Sequence, residues 1–547
     1  MMLGKFQFSA RLRILIPATL PFMLEIPTVA KDRPAPPSRG PVMKTSFRRR
    51  GFLSAATAGV SLLSRSNLIA GLGPVAHDEV TYQSGIVPLR PEIEPLVRLI
   101  EDTPRERLME EIGAGIRKGL SYREVLAALL LAGVRNVEPR PAVGFKFHAV
   151  LVVNSAHIAS LNSPDADRWL PILWALDEFK NSQARDVSEG NWTMSPVDES
   201  GIPSVEKLRD VFHQSMASWD VALADVASAG VARSLGAAEV LELFAGYAAR
   251  DFRSIGHKAI YLANAWRTLQ TIGWEHAEPV LRSLAYALLN HHGEPNPSMN
   301  DLAPDQSWRS NQRLATTIRH GWESGRIDSS ATSQLLTLLR SGGPDEAAVN
   351  VVEQLNAGVS PQSIYDAIHL ASGELLVRQT GIVSLHAMTT TNAIRYLFDN
   401  VSSPETRKLL LLQNASFLPQ FRESMNSRGK IGEFRIDELT PTDNKETVTV
   451  DSIFSSVGHQ PLQAARQVMS FLTSTKDAEA LINAGRRLIF LKGNDSHDYK
   501  FSTATMEDFY KISPPLRNSF LAASTYYLKG SGAADNKLID RIRAALG

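Results

Sequence analysis

KFHAVLVVNSAHIASLNSPDADRWLPILWAL (146–176), GHKAIYLANAWRTLQTIGWEHAEPVLRSLAYAL (256–288) and SLHAMTTTNAIRYLFDNVSSPETRKLLLLQNA (384–415) are three versions of one design. Each opens on a histidine (His148, His257, His386), runs through an asparagine followed by a small residue, and places His157, Arg267 or Arg395 three positions further on. A polar turn with Pro or Asp follows, and then a second apolar segment. The apolar residues recur at helical steps, so each stretch predicts a helix pair. The lead-in segments repeat as well: GLSYREVLAALLLAG (119–133), SLGAAEVLELFAGYA (234–248) and GVSPQSIYDAIHLAS (358–372) share a Ser or Gly cap and an Ala/Leu-rich face. Ser121 and Glu124 have the spacing of a capping box. A repeat of this length exceeds the solenoid periods, which points to helices folded back around one centre rather than an open array. The fold class is all-α: a helical bundle built from internal repeats of helix pairs around a central site.

Outward from these stretches, the chain divides into a leader (1–76), a repeated helical body (77–427), a linker or small β insertion (428–454) and a C-terminal helical block (455–547) that completes the same domain. The β expectation comes from local alternation in RGKIGEFRIDELTPTDNKETVTVDSIF. Long polar segments at 183–203 and 290–308 read as loops of the kind that rim a site. In the leader, Arg48–Arg50 precede Gly51, Phe52, Leu53 and a short Ala/Gly-rich apolar run, the pattern of a twin-arginine export signal with cleavage near Ala76. That run is too short to span a bilayer. The expected location is the periplasm or cell envelope, and a route that carries folded proteins favours a chain with a cofactor inserted before export.

The 547 residues are 44% hydrophobic and 21% charged, an ordinary globular composition. Without cysteine there is no disulfide, no Fe–S cluster, no cysteine-ligated haem and no thiolate zinc site. The first 50 residues hold ten basic and two acidic side chains, leaving 48 against 55 in residues 51–547, which excludes nucleic acid as a partner by charge. HExxH, phosphate-binding glycine loops, G-x-S-x-G and dinucleotide fingerprints are missing from the sequence. A metal would therefore be held by His, carboxylate or Lys. His148, His257 and His386 are the leading ligand candidates, because several helices can aim imidazoles into one bundle core. LIFLKGNDSHDYKFSTATMEDFY (488–510) supplies His497, with Asp495 and Asp498 beside it and Lys500 three residues on; His459 competes for the fourth position. His157 and His369 are reserves, and His291–His292 reads as a surface loop. Glu124, Glu242 and Asp366 are second-rank partners or exposed helix residues. In the first and third repeats His precedes Asn by six residues and in the second by seven, so one residue must be absorbed in the backbone.

The phrases FKFHAVLVVN, IGHKAIYLAN, GIVSLHAMTTTNAIRYL and SHDYKF, in that order over most of the body, resemble the questin oxidase-like family of helical proteins. The resemblance implies a non-haem iron oxygenase that cleaves aromatic polyketide rings, with iron held by four His and a carboxylated Lys. Position by position it implies His148, His257, His386 and His497 as ligands and Lys500 as the carboxylated lysine, with Fe(II) as cofactor and O2 and a small molecule as partners.

Three functions follow as expectations. The first is an exported, metal-dependent oxidoreductase: a mononuclear non-haem iron oxygenase acting on a hydrophobic or aromatic small molecule. The second is a zinc-dependent hydrolase using the same histidine nest, in which bound water is the nucleophile. The third is a non-enzymatic helical repeat scaffold whose histidines only join helices.

Overall fold

The helix starts follow from local chemistry. Ser121 Oγ accepts the Glu124 N–H while the Glu124 carboxylate accepts the Ser121 N–H (2.9 Å), so the expected capping box opens the helix Tyr122–Asn136. Ser360 and Ser403 cap Pro361–Arg378 and Pro404–Asn426, each with proline at the first helical position. Replacing Ser121 by Ala is expected to cost about 1 kcal/mol, read as a shift in denaturant midpoint with an unchanged slope.

The computed structural model describes residues 85–547 apart from 141–146, 292 and 444–446. The leader (1–76) and His292 lie outside the described residues. Every regular element among the described residues is a helix, and the one β contact there is an isolated bridge between Arg326 and Val359. None of the described helices is long and apolar enough to cross a membrane.

The expected β insertion at 428–454 is corrected. Its described residues form a loop with a 3-10 turn at Ile436–Glu438 and then the short helix Val450–Ser456. The apolar side chains that alternate in the sequence are spent singly: Ile436 is fully buried, and its N–H donates to Glu374 (2.9 Å) rather than to a neighbouring strand. The segment expected as a loop from 183 is helical to Glu189, because Leu170–Glu189 runs on to a Gly190 in a positive-φ conformation.

Four helices define the centre. Val153–Leu161, His257–Ile272, Ile382–Asn400 and Ser496–Asp508 each pack on the next, and the last returns to the first, closing a ring. All four are buried on most of their circumference, as central helices must be. Some outer helices are far more exposed: Ala303–Ala315 buries only Asp305, Ser307 and Asn311. The C-terminal helices belong to the same unit, with Ile539–Leu546 against Arg105–Arg117 and Pro514–Ser524 against Pro361–Arg378.

The ring is parallel. Histidines at the helix starts converge, and asparagines two turns later converge again (Asn154 to Asn264, 3.4 Å), which antiparallel helices could not do. Parallel neighbours need long return connections. That requirement accounts for the wide sequence spacing of the histidines, since several intervening helices carry the chain back each time.

Candidate metal centre

Each histidine is placed by a different local device. His257 is the first residue of its helix and follows Gly256, whose φ is +83°. A Cβ at Gly256 would lie 1.8 Å from Thr390 Oγ1 on the His386 helix, so glycine is what lets the two helix starts meet. His386 lies one turn inside Ile382–Asn400. His148 heads a four-residue turn, His148–Leu151, which breaks at Val152 before Val153–Leu161 resumes. These devices absorb the one-residue difference in His-to-Asn spacing: a break in the first segment, an earlier helix start in the third. His497 is the second residue of Ser496–Asp508, whose N-cap is Asp495.

The four imidazoles converge. His257 Nε2 lies 2.9 Å from His148 Nε2 and 2.8 Å from His386 Nε2. The ring of His497 is edge-on to His148 with centroids 4.5 Å apart, and 5.1 Å from His386. One ligand nitrogen from each of the four lies within 4.8 Å of the others, and all four residues are buried. The sequence alternative is thereby decided: His497 joins the nest, whereas His459 is exposed in the turn before Pro461–Thr475.

Tautomers follow from the partners. His386 Nδ1–H donates to the Ile382 carbonyl (2.6 Å) and His497 Nδ1–H to Asp495 Oδ1 (2.5 Å), so each turns an Nε2 lone pair inward. His257 Nε2 faces two nitrogens and can carry at most one proton, which cannot serve both contacts linearly. A shared cation satisfies all of them. With metal–nitrogen bonds of ~2.1 Å, adjacent ligands in an octahedral set lie ~3.0 Å apart and opposed ones ~4.2 Å, against ~3.4 Å for every pair in a tetrahedron. The two closest pairs, at 2.9 and 2.8 Å, sit nearer the adjacent octahedral spacing than the tetrahedral one, and all four nitrogens lie within 4.8 Å of one another.

Electrostatics agree with neutral ligands. Burial, with the Lys500 ammonium second, holds His148 and His257 well below the ordinary imidazole range; His386 is held there by burial, then by His257 and Lys500. Burial takes His497 down to about 4, against the opposing pull of Asp495. Burial also brings Lys500 down to about 7, and its Nζ has no hydrogen-bond partner among the described residues. A deprotonated amine is thus accessible near neutrality beside four imidazoles. No Asp or Glu belongs to this ligand group among the described residues.

The other candidates are accounted for elsewhere. His157 bonds Tyr122 Oη (2.9 Å) and Thr271 Oγ1 (3.3 Å); His369 Nδ1–H donates to the Tyr365 carbonyl (2.7 Å). His291 packs edge-on against Trp219. Glu124 serves its capping box, Glu242 accepts from the Ser402 and Ser403 N–H groups, and Asp366 accepts from Gln362 and the Ser513 N–H. Sequence reasoning missed Gly256 and Thr390; the glycine directly before His257 was the available signal.

Asp495 makes two separable contributions, capping the helix and orienting His497. Asn caps as well as Asp. Asp495→Asn is therefore expected to leave thermal stability nearly unchanged while weakening metal binding by roughly 10-fold or more, read by titration against a competing chelator.

Compared with known proteins, the chain matches no family model, no curated protein and no solved structure. The functional reading rests on the geometry of the site.

Proposed function

We propose that this chain is a metal-dependent oxidoreductase: a mononuclear non-haem iron oxygenase acting on a hydrophobic or aromatic small molecule. The observation that carries the reading is the buried convergence of His148, His257, His386 and His497. Bound Fe(II) would supply redox chemistry toward O2. The four imidazoles would hold the ion, the Ile382 carbonyl and Asp495 fix two of their tautomers, and the close-packed helices exclude water.

Lys500 completes the set as a carboxylated lysine. Its neutral Nζ would attack the carbon of CO2: an N–C bond forms as one C=O π pair moves onto oxygen, the nitrogen gives up one proton, and the resulting carbamate would provide an anionic oxygen donor. Two features support an anion there. The ligand group contains no carboxylate among the described residues, and His257 and His497 stand in the first turn of their helices, where the helix dipole favours negative charge.

Zinc in the same nest would give a hydrolase, but a set of four imidazoles leaves little room for the open water position that a catalytic zinc site keeps. On the sequence of Arg48–Arg50 the protein is further proposed to be exported folded, with its metal in place. The deciding experiment loads purified protein with Fe(II) anaerobically, measures iron stoichiometry, and then follows O2 uptake with aromatic substrates. One tightly held iron and substrate-dependent uptake is the expected result; no bound metal would leave the scaffold reading in its place.

A further inference from the structure

Two turns below the histidines the four central helices meet again, this time through polar side chains. Asn154 Nδ2 donates to Asn264 Oδ1 (3.4 Å), and Asn264 Nδ2 to the Leu151 carbonyl (2.9 Å). One guanidinium gathers the remaining contacts. Arg267 Nη1 donates to Asn264 Oδ1 (3.3 Å) on its own helix and to Asn392 Oδ1 (3.4 Å) on the His386 helix; Nη2 donates to Glu507 Oε2 (2.7 Å) on the His497 helix. The guanidinium also lies over the Tyr396 ring, 3.9 Å from its centroid. Asn392 Nδ2 closes the network by donating to Glu507 (2.9 Å) and Asp508 (2.8 Å).

The layer touches no ligand: at about 1.5 Å of rise per residue, Asn264 lies ~10 Å along the helix from His257. Its leverage is rotational. A helix turned by about 10° sweeps a side-chain nitrogen some 6 Å from its axis through roughly 1 Å, whereas metal–ligand distances tolerate about 0.2 Å. Three helices that each carry a ligand must be held in phase to a few degrees, and a planar fork with five donors does this better than any single pair contact.

We propose that Arg267 is a positioning residue for the histidine nest: by bonding Asn264, Asn392 and Glu507 it fixes the rotation of three helices and so the spacing of His257, His386 and His497. This rests on the metal-centre reading above. It also assigns a purpose to Asn264 and Asn392, which present side-chain amides to the clamp from neighbouring helices, while Asn154 joins through Asn264.

The test uses Co(II) alone as probe, with affinity measured against a competing chelator, the ligand-field absorption bands as the signature of geometry, and thermal unfolding as a control. Arg267→Met is expected to weaken Co(II) binding by about 2- to 30-fold, the range for residues that couple to a site without touching it, and to change the absorption bands. Arg267→Lys should recover part of the affinity, since it keeps the charge and loses the fork. Glu507→Gln, which preserves shape, should move both readouts the same way by less, and it serves if Arg267→Met fails to fold. Arg282→Met breaks another arginine–carboxylate pair (Arg282 to Asp225, 2.8 Å) between helices outside the ring. It should lower stability with the Co(II) bands unchanged. Unchanged affinity and bands in both Arg267→Met and Glu507→Gln overturn the proposal, as does an equal loss in Arg282→Met. A wild type that binds no Co(II) overturns the metal reading and this inference together, so the two failures are distinguishable.

Discussion

His257→Ala is expected to abolish stoichiometric metal binding. His257 is the imidazole whose Nε2 touches two others, at 2.9 and 2.8 Å, so its loss removes a ligand and the contact that sets the neighbours' spacing. The apo protein should still fold, because the side chain lies among other imidazoles and its Nδ1 has no hydrogen-bond partner among the described residues. The effect is therefore read best as lost linkage. A metal at 1,000 times its dissociation constant stabilises the native state by about 4 kcal/mol, and the corresponding rise in melting temperature should vanish in His257→Ala. It should persist in His459→Ala, whose side chain is exposed outside the nest. One equivalent of metal bound by His257→Ala with wild-type affinity would refute the shared centre.

Gly256→Ala is expected to be the most damaging single-methyl change near the site. The position has φ +83°, which costs an L-residue roughly 1–2 kcal/mol. The added Cβ would also lie 1.8 Å from Thr390 Oγ1, 2.5 Å from its Cγ2 and 2.7 Å from its Cβ. Overpacking of this kind costs about 1–3 kcal/mol. Together they predict a loss of about 2–5 kcal/mol, measured by denaturant unfolding, with weaker metal binding as the His257 and His386 helix starts are forced apart. Thr390→Ala removes two of the three close atoms, so the double variant should be more stable than Gly256→Ala alone, with a coupling energy above ~0.5 kcal/mol. A change below ~0.5 kcal/mol in Gly256→Ala would show that the close approach matters little.

Much of this was legible in the sequence because helical periodicity and capping are local. Ser121 with Glu124, the proline-led helices at Pro361 and Pro404, and the histidine heading each design could be read within windows of a few residues. Which histidine came fourth could not, since His459 and His497 both stand near helix starts and differ only in tertiary burial. The Arg267 clamp was hidden for the same reason: Asn264 is a near neighbour in sequence, but Asn392 and Glu507 are brought to it only by the packing of other helices. At 428–454 local alternation misled, because Ile436 and Leu439 each fill a separate place in the core and no partner strand exists among the described residues.

The ligands come from helices spread across almost the whole described chain, the first near its start and the last close to its end. A nest assembled this way is complete only when all four segments are present. A growing polypeptide that has emerged as far as His386 still lacks the helix that closes the ring, and contacts between such distant segments form late in folding because the entropy of joining them must be met first. On the metal reading, capture of the ion would report that the chain has been made beyond His497 and has folded. The bound ion would in turn act as a staple between remote parts of the chain, slowing unfolding more than it speeds folding.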